Sequence, residues 1–196
     1  MASALVRSFL AVELSEVQKR EVLSFLNRVR DDMPGFRFVA PENLHLTLHF
    51  FGSINEKAIE RVRLKLGPSL IDVKPFTVSL AGRGTFPSGR RPRVLWIGMG
   101  HGAGELIRLK HAIDHVLQDL KFPLEKRSYT PHLTVARAAS RQSDVDSSEG
   151  VTVASLAPFE GHETCRVSEV ALFRSYLSPH GARYSILHKF PLRLQT

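Results

Sequence analysis

The same four-residue pattern occurs twice in this chain, as His45-Leu46-Thr47-Leu48 and as His132-Leu133-Thr134-Val135. In an extended segment successive side chains point to opposite faces. Each copy therefore displays an imidazole and a hydroxyl from one face and anchors itself through the leucine side. Each copy also follows an amphipathic helical stretch and a short connection. A chain that repeats helix, connection and strand in its two halves is expected to fold as α+β, with two similar lobes meeting at a cleft.

The repetition carries more information than the motif. Nine His and eight Thr in 196 residues give about 0.4 His-x-Thr triplets by chance, and the chain has three. The third, His162-Glu163-Thr164, has a charged centre and no apolar flanks, and reads as the chance member.

Local signals place the motifs on elements. Residues 5–12 read as a strand. Ser15 then opens a helix over 16–31, with Gln18 in capping-box position and Val22, Phe25, Leu26 and Val29 on one face. Pro34-Gly35 ends it, and Phe36 to Ala40 is a short extended piece before the strand Leu44 to Phe51. Asn55 caps a second helix that Gly67-Pro68 is expected to close. Strands over 75–81 and 93–98 flank an arginine-bearing loop, Gly82 to Arg93. A third helix over about 104–120 buries Leu109, Ile113, Val116, Leu117 and Leu120. The strand Thr130 to Ala136, a polar loop Ala139 to Gly150, and strands near 166–174 and 183–190 complete the fold. No long linker intervenes, so residues 1–196 read as one bilobal domain.

Composition narrows the function. With 43% hydrophobic residues the chain can bury a substantial core. No apolar run approaches the roughly 20 residues of a spanning helix, and the segment Met1 to Leu14 lacks the plan of a secretory leader. The single Cys165 excludes an internal disulfide and a Cys-based zinc site. A cytoplasmic protein without a membrane partner is expected. The net charge of +8 favours a polyanionic partner, and Arg83, Arg90, Arg91 and Arg93 on one loop suit a grip on backbone phosphates.

Histidine gives or takes a proton near neutrality. A reaction that deprotonates a nucleophile and protonates a leaving group needs one donor and one acceptor. Hydrolysis of a cyclic phosphodiester is such a reaction and needs no metal. His45 and His132 are the candidates for the two proton transfers. Thr47, Thr134 and a cation, Arg137, are the candidates for holding the non-bridging oxygens.

These motifs, with Phe9-Leu10-Ala11, Pro41-Glu42-Asn43, Phe51-Gly52, Pro92-Arg93-Val94-Leu95-Trp96 and the segment Ser175 to Tyr184, resemble the 2H phosphoesterase superfamily. The likeness is to its RNA 2',3'-cyclic phosphodiesterases, once called 2'-5' RNA ligases. The resemblance implies two lobes with antiparallel sheets facing a central cleft and helices outside. It implies a 2'-phosphate product, no metal or other cofactor, and a weak reverse ligation of RNA ends. It gives His45 as general acid on the 3'-oxygen and His132 as base on water, an assignment the spacing alone leaves open. The expected partner is RNA with 2',3'-cyclic phosphate termini, such as tRNA halves, and the expected state a monomer. A non-catalytic RNA-end-binding module, and an enzyme acting on small cyclic nucleotides or 2'-5' oligonucleotides, remain the alternatives.

Other features read more simply as structure. Gly98 to Gly104 has the loose form of a dinucleotide loop but no surrounding βαβ unit. His111 and His115 have metal-pair spacing on a helix but lie opposite its apolar stripe. His49 shares the face of His45 by strict alternation, and so lines the cleft or packs. Phe36, Phe38 and Phe86 suit either the core or base stacking.

Overall fold

A computed structural model describes residues 4–88, 92–139, 157–178 and 181–193. Its elements in chain order are β1 (Leu5–Glu13), α1 (Glu16–Val29), β2 (Phe36–Phe38), β3 (His45–Asn55), α2 (Glu56–Leu70), β4 (Phe76–Phe86), β5 (Val94–His101), α3 (Ala103–Asp119), β6 (Leu133–Ala138), β7 (Glu160–Val167), β8 (Glu169–Ser178) and β9 (Gly181–Pro191). The strands form one nine-stranded sheet in the order β7-β4-β5-β6-β3-β1-β8-β9, with β2 added to β6. The described pairings are all antiparallel.

The expected duplication is built into this order. The first half runs β1, α1, β3, and the second runs β5, α3, β6. In each, the strand before the helix pairs with the strand bearing His-Leu-Thr. The halves meet where Leu46 of β3 pairs with Leu133 of β6. Both leucines are fully buried in the main core, which lies between the sheet and the helices. A smaller cluster of Phe9, Ala11, Ala171 and Phe173, with Tyr184 against it, is separate from that core. Phe9 and Ala11 alternate with the core residues Leu10 and Val12, so this cluster covers the opposite face of the sheet.

Helix starts follow the sequence signals. Ser15 accepts from the Gln18 backbone N–H at 3.2 Å, and Asn55 from that of Ala58 at 2.8 Å. The Gln18 side chain, however, does not turn back to close the capping box. It is fully buried and donates to the carbonyls of Val78 (3.2 Å) and Glu163 (3.1 Å), tying α1 to β4 and β7.

Several boundaries differ from expectation. Helix α2 passes through Gly67-Pro68 and ends at Leu70. Proline here costs only the bond to the carbonyl of Leu64, on an exposed turn, while fully buried Leu70 holds the last turn down. Strand β4 runs on to Phe86 and takes Arg83 and Gly84 out of the expected loop. A Cβ on Gly84 would fall 2.0 Å from the Trp96 ring, so this glycine leaves room for an indole rather than making a turn. Strand β6 begins at Leu133 and extends to Ala138. Strand β7 was not expected: among its residues only Cys165 and Val167 are buried, too little for a periodic signal. It carries His162-Glu163-Thr164 with all three side chains exposed. Most of the polar loop Ala139 to Gly150, and the residues Arg90 and Arg91, lie outside the described residues.

Gln18→Ala removes two hydrogen bonds, one buried and one partly buried, that tie α1 to the sheet, which should destabilise the fold by about 2–3 kcal/mol. Ser15→Ala should cost about 1 kcal/mol. Denaturant unfolding of the two variants checks the order, and equal losses would contradict the buried anchoring of Gln18.

Candidate active site

The site follows from register. Leu46 pairs with Leu133, so one step either way brings His45 opposite Thr134 and Thr47 opposite His132. All four side chains share the face that the leucines avoid. Directly opposed Cβ atoms in an antiparallel pair lie about 5 Å apart, and diagonal ones about 7–8 Å. The two imidazoles occupy a diagonal of this rectangle and the two threonines the other.

A bulge follows each motif. On β6, Thr134 pairs with Trp96 and Ala136 with Leu95, which leaves Val135 as an extra residue. Val135 and Ala136 both go into the core, and Arg137, opposite Val94, returns to the face of Thr134. On β3, Thr47 pairs with Ala11 and His49 with Leu10, so Leu48 is the extra residue. Leu48 and His49 are both buried, and Phe50 returns to the cleft face opposite Phe9. Strict alternation put His49 beside His45; the bulge turns it into the core instead. Without the matching bulge on β6, Arg137 would point away from His132. Arg137 and Phe50 thus occupy equivalent places in the two halves.

The imidazoles are held alike. His45 Nδ1 lies 2.7 Å from the Asn43 carbonyl oxygen, and His132 Nδ1 lies 2.7 Å from that of Thr130. A carbonyl oxygen only accepts, so each Nδ1 carries the proton and donates it. Each Nε2 is thereby left for a substrate. Asn43 is itself anchored by its side-chain amide, which donates to the Ala182 carbonyl on β9 at 2.7 Å.

Aromatic walls flank both rings. Phe9 stacks on His45 at 4.8 Å, and Tyr184 meets the same ring edge-on at 5.4 Å. Phe86 meets His132 edge-on at 5.0 Å, with Trp96 behind at 6.2 Å. These walls favour neutral imidazoles. Burial pushes His45 down to about 4, against the pull of the Asn43 carbonyl, and the Arg137 charge lowers it further. His132 is lowered by burial too, then by Arg137, while the Thr130 carbonyl and Glu125 act the other way. Burial raises the Tyr184 phenol, with Arg137 and Arg7 opposing. Arg137 therefore lies close enough to both imidazoles and to Tyr184 to act on all three.

A buried polar group supports β3 from behind. The Tyr129 hydroxyl, three residues before His132, donates to the Thr47 carbonyl at 3.0 Å and so ties one motif to the other. Lys110, 3% exposed, sits 5.9 Å over the Tyr129 ring and contacts both oxygens of Asp114 at 2.5 Å. His49 lies 4.0 Å from Asp114, and burial, with Lys110 adding to it, pushes its ring down to about 4.

Sequence reasoning had not given Tyr184, Phe173, Arg7 or Tyr129 a place at the site. Arg7 and Phe9 alternate with core residues on β1, a signal that the sequence does contain. The other candidates separate cleanly. Arg83 lies on β4 and donates to the Ala157 carbonyl at 3.2 Å; Arg93 is exposed just before β5. Gly102 takes φ +82° against the Thr77 carbonyl, as a turn into α3. His111 and His115 are exposed, and Phe36 and Phe38 pack on the main core. Among the described residues no three His, Cys, Asp or Glu side chains cluster, and no helix is long and apolar enough to cross a membrane.

A sheet that presents two such histidine strands across one pairing defines a class, and sequence comparison agrees with it. The chain belongs to the 2'-5' RNA ligase superfamily, whose model matches residues 17–177. It is 35% identical over 193 residues to the RNA 2',3'-cyclic phosphodiesterase of Methanothermobacter thermautotrophicus, covering 95% of this chain and 99% of the relative. It is 32% identical over 185 residues to the protein of the same name from Archaeoglobus fulgidus, covering 94% and 99%. Among solved structures, TT0787 of Thermus thermophilus superposes with a TM-score of 0.82 at 27% identity, over 97% of this chain and 100% of that one. Escherichia coli LigT complexed with 3'-AMP superposes at 0.76 and 26%, over 96% and 98%.

Because Arg137 lowers both imidazoles, Arg137→Gln should raise the pKa of His45 and of His132 in the ligand-free protein. Ring-proton NMR titration checks this, and a fall in either value would contradict the placement of the guanidinium.

Proposed function

We propose that this protein opens RNA-terminal 2',3'-cyclic phosphates to 2'-phosphates, by proton transfer between two histidines and without a metal. One observation carries the reading: two imidazoles with their Nδ1 atoms fixed on carbonyls leave two Nε2 atoms on one face, across the Leu46–Leu133 pair. The names of the relatives give the substrate class.

In this mechanism His132 accepts a proton from water as its oxygen bonds to phosphorus. The bond from phosphorus to the 3'-oxygen breaks, and His45 protonates that oxygen. The product keeps the phosphate on the 2'-oxygen and has a free 3'-hydroxyl. Exchange with solvent then restores the starting proton distribution. Thr47, Thr134 and Arg137 hold the non-bridging oxygens as charge develops. With an RNA 5'-hydroxyl in place of water, the same steps form a 2'-5' bond, so weak ligation accompanies hydrolysis. Residues 1–196 act together as one bilobal catalytic unit, a monomer in the cytoplasm, with tRNA halves among its substrates.

Purified protein in EDTA should convert an RNA end bearing a 2',3'-cyclic phosphate to a 2'-phosphate, identified by chromatography. His45→Ala and His132→Ala should each lower kcat by roughly 10²–10⁴-fold. Full activity in both folded variants, or dependence on added metal, would overturn the reading.

The pH dependence has a defined sign. The reactive form has one ring protonated and one neutral, and both free-protein pKa values lie below the ordinary 6.5. Above both, the singly protonated form falls about tenfold per pH unit. The kcat/KM profile should therefore peak below pH 6.5 and already be declining at neutral pH. In kcat the declining limb should lie at higher pH, because bound phosphate raises both imidazoles. A kcat/KM maximum on the alkaline side of neutrality would contradict the assignment.

A further inference from the structure

On the short ladder between β2 and β6, Arg37 lies directly opposite Arg137. Like charges so placed destabilise a sheet. Both residues are exposed, and among the described residues no ion pair involves either of them. The face is settled by the neighbours. Phe36 and Phe38 pack on the main core opposite Ala138 and Ala136, so Arg37 projects from the other side. Through the β6 bulge that is the side of Arg137, Thr134 and His132.

The two arginines differ in their distance from the chemistry. Arg137 acts on both imidazoles. Arg37 is one strand spacing further out, about 4.8 Å, and is not among the charges acting on either ring. Two arginines opposed across one ladder step, with no ion pair among the described residues, suit two anionic groups in succession, and Arg forks match phosphate oxygens in geometry. An RNA end offers that pair: the cyclic phosphate and the next backbone phosphate on its 5' side. A cyclic mononucleotide offers only the first.

We infer that Arg37, beside Arg137, binds the backbone phosphate one nucleotide upstream of the reacting end, so that the protein selects oligonucleotide ends over cyclic mononucleotides. The inference rests on the phosphodiesterase reading. Arg37 is a specificity-determining residue in it and touches no reacting atom.

The experiment compares kcat/KM on a tetranucleotide ending in a 2',3'-cyclic phosphate with that on a 2',3'-cyclic mononucleotide. The ratio of the two should fall roughly tenfold in Arg37→Thr, a substitution that keeps strand propensity. The salt dependence of tetranucleotide kcat/KM should flatten by about 0.7 in log–log slope, as for loss of one single-strand phosphate contact. Arg37→Lys, which keeps the charge, should retain the salt slope. Thermal unfolding of Arg37→Thr should be no lower than that of the unaltered protein, since a like-charge repulsion is removed. An unchanged ratio, or an equal loss on both substrates, would overturn the inference. Binding separates this from failure of the underlying reading. A fluorescent RNA tetranucleotide ending in a 2'-phosphate should bind roughly tenfold more weakly to Arg37→Thr. That loss in a protein without turnover would sink the catalytic reading and keep the Arg37 contact; undiminished binding would sink the contact.

Discussion

The pairing of Leu46 with Leu133 is the contact on which the site depends. It is the described pairing that joins the two halves of the sheet. Both side chains are fully buried, and burying a leucine side chain is worth roughly 1.5–3 kcal/mol. The leucines fix which face of each strand is turned inward. Once that is set, alternation delivers His45, Thr47, His132 and Thr134 together on the other face. The hydrogen bond from Tyr129 to the Thr47 carbonyl ties the approach to one motif to the exit of the other. The separation of the two imidazoles is thus set by backbone pairing rather than by flexible side chains.

The electrostatics complement that geometry. The cleft face carries Arg7, Arg37 and Arg137, and among the described residues none of the three is ion-paired with a carboxylate. The charge excess forecast from composition is therefore partly concentrated where an anion would bind. Burial within the aromatic walls, with Arg137 adding to it, lowers both imidazoles and favours their neutral forms. Asp114, 4.0 Å from His49, belongs to the buried support behind β3, where Lys110 neutralises it, and Asp119 pairs with exposed His115 on α3.

Much of this was legible in the residues. The duplicated strands, the caps at Ser15 and Asn55 and the buried faces of α1 and α3 all follow from local pattern, because the same residues that set propensity also set packing. The bulges were not legible. Nothing in Leu48 or Val135 distinguishes an extra residue from a paired one, since a bulge is defined by the partner strand. That is why His49 was placed by alternation on the wrong face. Strand β7 escaped because an edge strand with two buried residues has no period, and the end of α2 because buried Leu70 outweighs Gly67-Pro68. The opposition of Arg37 and Arg137 joins residues 100 positions apart, and only strand register reveals it.

The claim that both imidazoles address one phosphate is tested most directly by a crystal structure with a nucleoside 2'-monophosphate bound. The account predicts phosphoryl oxygens within about 2.7–3.2 Å of Nε2 on His45 and on His132 together, with Thr47, Thr134 and Arg137 on the remaining oxygens. A phosphate bound away from this face, or touching one imidazole while the other Nε2 is turned to a protein acceptor, would contradict it.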